Sequence, residues 1–196
     1  MNLSGEDRNS ESTLVQRARR GDEAAWESLV RIHQEPAFRL AFLLLGDSDQ
    51  AEDVTQDAFL RAYRSLNRYD SSHPFRPWPL SITANLSRNQ LRAVSRYLAA
   101  LRRFSSGGSV ENNGVEARAS QNLQAQQLWQ AVRQLSHDDQ QIIYLRYFLD
   151  LPVVETADAL EIAEGTVKSR LHRALNRLRV VIQREFPDLK EGMLDG

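Results

Sequence analysis

The sequence predicts an all-α fold: two small helical domains joined by a flexible linker, the C-terminal one containing a helix-turn-helix. Three observations carry this. Apolar residues recur at helical spacing almost throughout, and nowhere do they alternate with period two between turn signals. The stretch Ser105-Ser106-Gly107-Gly108-Ser109, followed by Glu111-Asn112-Asn113-Gly114, interrupts that pattern with a linker's composition. Beyond it, a short helical segment and a strongly basic helix follow each other at turn spacing. The chain has 196 residues, 41% of them apolar, which suffices for two ordinary small cores.

Taken in order, Met1 to Ser12 is polar and predicted disordered. Helical apolar spacing then marks Glu11 to Arg20, Asp22 to Leu45 with a break or bend near Pro36, and Asp49 to Leu66. Gly21-Asp22 and Gly46-Asp47-Ser48 punctuate these, the glycine ending one helix and the Asp or Ser capping the next. Asn67 to Pro77, with prolines at 74 and 77, reads as a loop. Trp78 or Pro79 then starts a helix to about Leu101, because proline is tolerated in a first turn whose N–H groups are unpaired anyway. Helical periodicity resumes near Gln121, runs to Leu135, and continues over Ser136 to Leu149. The boundaries this gives are residues 1–20 (N-terminal segment and start of the first helix), 21–103, a linker over 104–120, 121–186, and a tail over 187–196.

The most informative stretch is Gly165 to Arg179. Val167, Leu171, Leu175 and Leu178 form one apolar stripe, which leaves Lys168, Arg170, Arg173, Arg177 and Arg179 facing outward. From Gly165 through Arg184 there are six basic residues and no acidic one. Thr166 is the expected N-cap. Ahead of it, Pro152 to Leu160 reads as a short helix with Val154, Ala157 and Leu160 inward, and Glu161-Ile162-Ala163-Glu164 is a connection of turn length. That is helix-turn-helix spacing, with the second helix placed to enter a major groove.

The formal net charge of -1 conceals segregation. Between Asp47 and Asp57 lie five acids (Asp47, Asp49, Glu52, Asp53, Asp57) and no base, whereas Ser71 to Val110 carries six arginines and no acid. Such a distribution fits a cationic protein partner for the first tract and a polyanion for the basic ones. Cysteine is absent, which excludes disulfides, thiolate metal sites and thiol redox sensing. The four histidines show no metal-ligand spacing, and no cofactor is expected. The most apolar run, Ala37 to Leu45, contains Arg39 and is far shorter than the roughly 20 residues a membrane span needs. With no signal peptide ahead of it, a cytoplasmic location is expected.

Phe75 to Asn89 places aromatics at the mouth of a helix that then offers Asn, Ser and Arg. A ring can replace a neighbouring base while amides read an unpaired Watson–Crick edge, so single-stranded nucleic acid suits this segment. Packing of Phe75 and Trp78 as core anchors is the competing explanation.

Three ordered motifs, Ala51 to Tyr63, Phe75 to Asn89 and Gly165 to Leu178, resemble the bacterial extracytoplasmic-function (ECF, group IV) sigma factors. The resemblance spans about Gly21 to Arg184 and implies a promoter-specificity subunit without enzymatic activity of its own. Such a subunit binds core RNA polymerase and promoter DNA, recognises minus-10 and minus-35 elements, and assists strand opening. It makes 21–103 sigma region 2 and 121–186 sigma region 4. By motif, Asp53, Gln56 and Asp57 fall where the family meets polymerase, and their i, i+3, i+4 spacing puts all three on one helix face with Phe59 turned to the core. Asn85 matches the position near a flipped minus-10 base, with Trp78 and Arg88 nearby. Lys168, Ser169, Arg170, His172 and Arg173 match the minus-35 recognition helix. An anti-sigma protein that hides the acidic polymerase face is a further implied partner.

Two positions depart from the family's pattern. Trp78-Pro79 stands where Trp-Leu is usual, which predicts a different start for the minus-10 helix. Glu161 stands where glycine is common, and since a side chain strains a positive φ, a different turn geometry is expected there. A polymerase-independent helix-turn-helix regulator, dimerising through its N-terminal bundle, is the alternative from another class. An enzyme acting on nucleic acid finds no support: the chain has no Gly-rich phosphate loop and no nucleophile placed beside a base.

Overall fold

The computed structural model describes residues 5–104 and 123–187, with side-chain environments within 10–97 and 126–187. Among the described residues every regular element is helical: α1 (Gly5–Arg19), α2 (Glu23–Leu45), α3 (Ser48–Ser65), α4 (Pro77–Phe104), α5 (Leu123–Arg133), α6 (His137–Ile143), α7 (Val153–Leu160) and α8 (Glu164–Glu185). The chain forms two compact units, one centred on α1–α4 and the other on α5–α8. The expected linker from 105 onward and the tail beyond 187 lie outside the described residues.

In the first unit α2 is central and packs against α1, α3 and α4. Its start is fixed by Asp22, whose side chain accepts the Ala25 N–H at 3.1 Å. That hydrogen bond, with help from Arg17, holds the Asp22 carboxyl below its ordinary range. Gly46 ends the helix in the left-handed region at φ 75°, donating its N–H to the Phe42 carbonyl at 2.8 Å. One residue later Asp47 caps α3 by accepting the Gln50 N–H at 2.8 Å. The expected break at Pro36 is absent, and α2 runs through it. Pro36 has no N–H to offer the Ile32 carbonyl, but Ile32 is 50% exposed, so the interruption falls on the face turned to solvent.

A second correction concerns the N-terminus. Residues 5–12, expected to be disordered, form the first turns of α1. Their sequence lacks apolar periodicity, and α1 is held instead by Val15 and Ala18 in the core and by the buried Glu11. After α3 the chain makes a 3-10 turn at Leu66–Arg68 and an irregular stretch, then enters α4 at Pro77. Pro77 and Pro79 both occupy the first turn, where a missing N–H costs nothing.

In the second unit, α6 is capped by Ser136, which accepts the Asp139 N–H at 3.3 Å. The helix expected over 136–149 is not uniform, because Tyr144–Phe148 widens into a π segment in which the Leu149 N–H reaches the Tyr144 carbonyl at 2.9 Å. Asp150 then turns the chain at φ 51°. Ile142, Tyr144, Leu145 and Leu151 are fully or nearly fully buried, and α5 and α6 both pack on α8.

Candidate functional site

Three exposed surfaces carry the candidate residues. On α3, the buried set Ala51, Val54, Thr55, Ala58, Phe59 and Ala62 forces the remaining positions outward. Asp53 and Gln56 are exposed and Asp57 is half-exposed, so the three expected on one face do share it. Gln56 bonds Glu52 at 3.2 Å, and Asp57 pairs with Arg61 at 2.9 Å, each one turn apart. Exposed i, i+4 pairs of this kind leave the face acidic without locking it. Leu60 and Tyr63, 46% and 43% exposed, extend the same helix surface with apolar area. Their spacing of seven from Asp53 and Gln56 places them there, but neither carries a charge to mark it.

On α4 the segment divides. Phe75 is a core residue at 1% exposure, and Trp78 is half-buried, stacked on Tyr69 at 4.9 Å and meeting Phe75 edge-on at 5.6 Å. The core-anchor explanation therefore holds for Phe75 and in part for Trp78. Asn85 is exposed and Arg88 half-buried. Asn89, Arg92 and Arg96 are exposed at spacings of three and four from Asn85, which prolongs an amide and guanidinium stripe along the helix.

The helix-turn-helix consists of α7, a turn and α8. Glu161 adopts φ 54°, so the turn keeps the left-handed conformation that glycine would take, contrary to the expectation of another geometry. The Ile162 N–H reaches the Ala157 carbonyl at 3.0 Å and the Glu161 N–H the Asp158 carbonyl at 3.2 Å, which together make a Schellman closure. These bonds impose the left-handed residue whatever its side chain. In α7 the inward residues are Thr156, Ala157 and Ala159, whereas Val154 is 50% exposed and Leu160 half-buried, correcting the expected set. Thr156 satisfies its buried hydroxyl on the Pro152 carbonyl at 2.8 Å.

The N-cap of α8 is Ala163, not Thr166, which lies within the first turn. A cap needs extended backbone as well as a hydroxyl, and the extended residue is the one just after the Schellman closure. The buried stripe of α8 is Val167, Ala174 and Leu178, with Leu171 and Leu175 half-buried. Lys168, Ser169, His172 and Arg173 are exposed, as expected, but Arg170 is half-buried beside the stripe. Arg177, though exposed, is engaged within its own unit. Its guanidinium grips both oxygens of the buried Asp139 at 2.8 and 2.7 Å, binding α8 to α6. Among the described residues no group of acidic or histidine side chains could hold a metal, and no helix is long and apolar enough to cross a membrane.

Residues 29–97 match the Sigma-70 region 2 model and residues 125–178 the Sigma-70 region 4 model. Over 170 residues the chain is 31% identical to the ECF RNA polymerase sigma factor SigL of Mycobacterium tuberculosis, spanning 86% of this chain and 95% of SigL. The chain belongs to the ECF sigma factors. It is also 28% identical over 174 residues to the ECF sigma factor SigW of Bacillus subtilis, covering 84% of this chain and 92% of SigW. Among solved structures it shares its fold with CnrH in complex with the cytosolic domain of CnrY (TM-score 0.65, 22% identity, 89% of this chain and 98% of that one). It shares it also with RpoE of Bartonella quintana in complex with the anti-sigma factor NepR (TM-score 0.60, 24% identity, 81% and 97%). As an ECF sigma factor the protein is a transcription-initiation subunit that directs RNA polymerase to promoters, and the polymerase-independent regulator is not favoured.

Proposed function

We propose a division of labour among the three surfaces of this sigma factor. The acidic face of α3, led by Asp53, Gln56 and Asp57, meets a cationic surface of core polymerase. The α4 face, with Trp78, Asn85 and Arg88, takes the minus-10 element. The outer face of α8, with Lys168, Ser169, Arg170, His172 and Arg173, enters the minus-35 major groove. Residues 21–103 then act as region 2, 121–186 as region 4, and 104–120 as the connector spanning the two elements. The observation that carries this is the opposite chemistry of two exposed helix faces: acids and an amide on α3, and on α8 an outer face whose charges are basic.

Strand opening without ATP follows if a base that leaves the minus-10 stack is captured beside Asn85. Extrusion costs a few kcal/mol, and a site that hydrogen-bonds the free Watson–Crick edge offsets part of it. An anti-sigma protein that covers the α3 face would compete with polymerase for Asp53 and Asp57. The site of action is the cytoplasm, where polymerase and promoter DNA meet.

Substitution tests the division. Lys168→Ala or Arg173→Ala weakens binding of the holoenzyme to a minus-35 fragment by about 1 to 3 kcal/mol where the lost contact is a bidentate base contact, leaving affinity for core polymerase unchanged. Asp53→Ala combined with Asp57→Ala does the reverse, and it removes any anti-sigma partner captured by the wild-type chain. Equal loss of polymerase binding in both sets would contradict the assignment.

A further inference from the structure

The match to Sigma-70 region 2 begins at residue 29, so α1 lies wholly outside it. Yet α1 reaches across to the stretch that leads into α4 and holds it at both ends. At the near end, the Arg19 guanidinium donates to the Leu66 carbonyl at 3.0 Å and to the Tyr69 carbonyl, with its carbon 5.9 Å from the centre of the Tyr69 ring. Two turns earlier on the same helix, the Glu11 carboxylate is 7% exposed. One of its oxygens lies 2.7 Å from His33 Nε2 on α2, and the other accepts the backbone N–H of Phe75 at 3.2 Å. Val15 and Ala18, between Glu11 and Arg19, sit in the same core cluster as Leu66, Tyr69 and Phe75.

The stretch so held has little regular structure of its own. A 3-10 turn at 66–68 is followed by local bonds such as Ser72 N–H to the Asp70 side chain at 2.9 Å, and its central residues Asp70, Ser71, Ser72 and His73 are exposed. Where Tyr69 and Phe75 lie decides where Trp78 and the first turn of α4 lie, because the three rings pack on one another at 4.9 to 5.6 Å. A buried carboxylate is also a costly way to fill a core. Desolvation makes it weak evidence for stability, while bonds to two defined partners fix geometry that apolar packing leaves loose.

We propose that α1 belongs to the promoter-opening apparatus: Glu11 and Arg19 are positioning residues that fix the 66–75 connection, and through Phe75 and Trp78 the aim of α4. The minus-10 strand then meets a face formed in advance, so less of its binding free energy is lost to ordering the protein. This rests on α4 being the minus-10 helix, and the test separates the two.

The probe is a single-stranded non-template oligonucleotide from a promoter this sigma factor transcribes, bound to holoenzyme assembled from the full chain. Affinity for core polymerase is measured alongside. Arg19→Ala and Glu11→Ala each weaken strand binding about tenfold, as expected for losing charge-assisted hydrogen bonds, with core affinity unchanged. Glu11→Gln restores strand binding, since an amide still offers a carbonyl to Phe75 and a polar group to the His33 ring nitrogen. Should Glu11→Ala fail to fold, Arg19→Ala, at a half-buried position, decides. Asn85→Ala is the reference for α4 itself. Wild-type strand binding by Arg19→Ala and Glu11→Ala, with Asn85→Ala impaired, would overturn the role of α1 alone. Wild-type binding by all three would overturn the reading of α4 as well. Parallel loss of core affinity in the α1 variants would reduce α1 to general support and also overturn the proposal.

Discussion

At the residue scale, the Tyr144 hydroxyl of the second unit is buried without a hydrogen-bond partner among the described residues. Tyr144 is 0% exposed, stacked on Trp129 at 5.6 Å and met edge-on by Phe148 at 5.4 Å. Burial pushes its phenol above the ordinary range. An unpaired buried hydroxyl costs more than the packing its oxygen returns, so Tyr144→Phe is expected to raise stability by about 1 kcal/mol. Thermal denaturation of the full chain checks this, and an unchanged or lowered midpoint would show that the hydroxyl is satisfied. Caps at this scale were readable where one residue supplies both backbone and side chain, as Asp22, Gly46 and Asp47 do. The Ala163 cap was not, because nothing in its side chain announces it and the hydroxyl of Thr166 gave a false signal. Arg177 looks like every other arginine of α8 in sequence. Only the distant Asp139, 38 positions earlier, gives it a structural partner.

At the scale of elements, the helix-turn-helix closes on a strained residue. A side chain at Glu161 in the left-handed region costs free energy that glycine avoids, and the two closing bonds hold it there. Glu161→Gly is therefore expected to stabilise the motif by about 1 kcal/mol, less what glycine's freer unfolded chain takes back, with minus-35 binding unchanged. A lowered denaturation midpoint would mean that the Glu161 side chain contributes more than the strain it carries. The order and type of the helices were legible because each carries an apolar face of period 3.6. What escaped depends on long-range partners. The first turns of α1 lack an apolar stripe and are anchored by Glu11 on His33 and Phe75. The π segment after α6 leaves no mark in periodicity, and Pro36 is carried through α2 because its missing bond falls on the exposed side. The acidic face of α3 was read fully, being set by one helix's own spacing. Its apolar extension through Leu60 and Tyr63 follows from the same spacing, but apolar residues on a helix point to the core as readily as to an exposed face.

At the scale of the whole molecule, the net charge of -1 conceals a separation into an acidic helix face in one unit and a basic one in the other, and the proposed division of labour rests on that separation. Each face is built by local helical geometry, and the family models match one unit apiece. On the division of labour proposed above, the chain would be an adaptor: one unit would hold polymerase and open the minus-10 region while the other would read the minus-35 element. Promoter recognition is expected to be weak for the free protein and strong for the holoenzyme.

Transcription by core polymerase on a library of genomic fragments, with and without this protein and with every transcript start sequenced, tests that claim most directly. New starts that share two spaced upstream elements are the predicted result, and they would supply both recognition sequences together. An unchanged set of starts, with the protein failing to comigrate with core polymerase, would contradict the account.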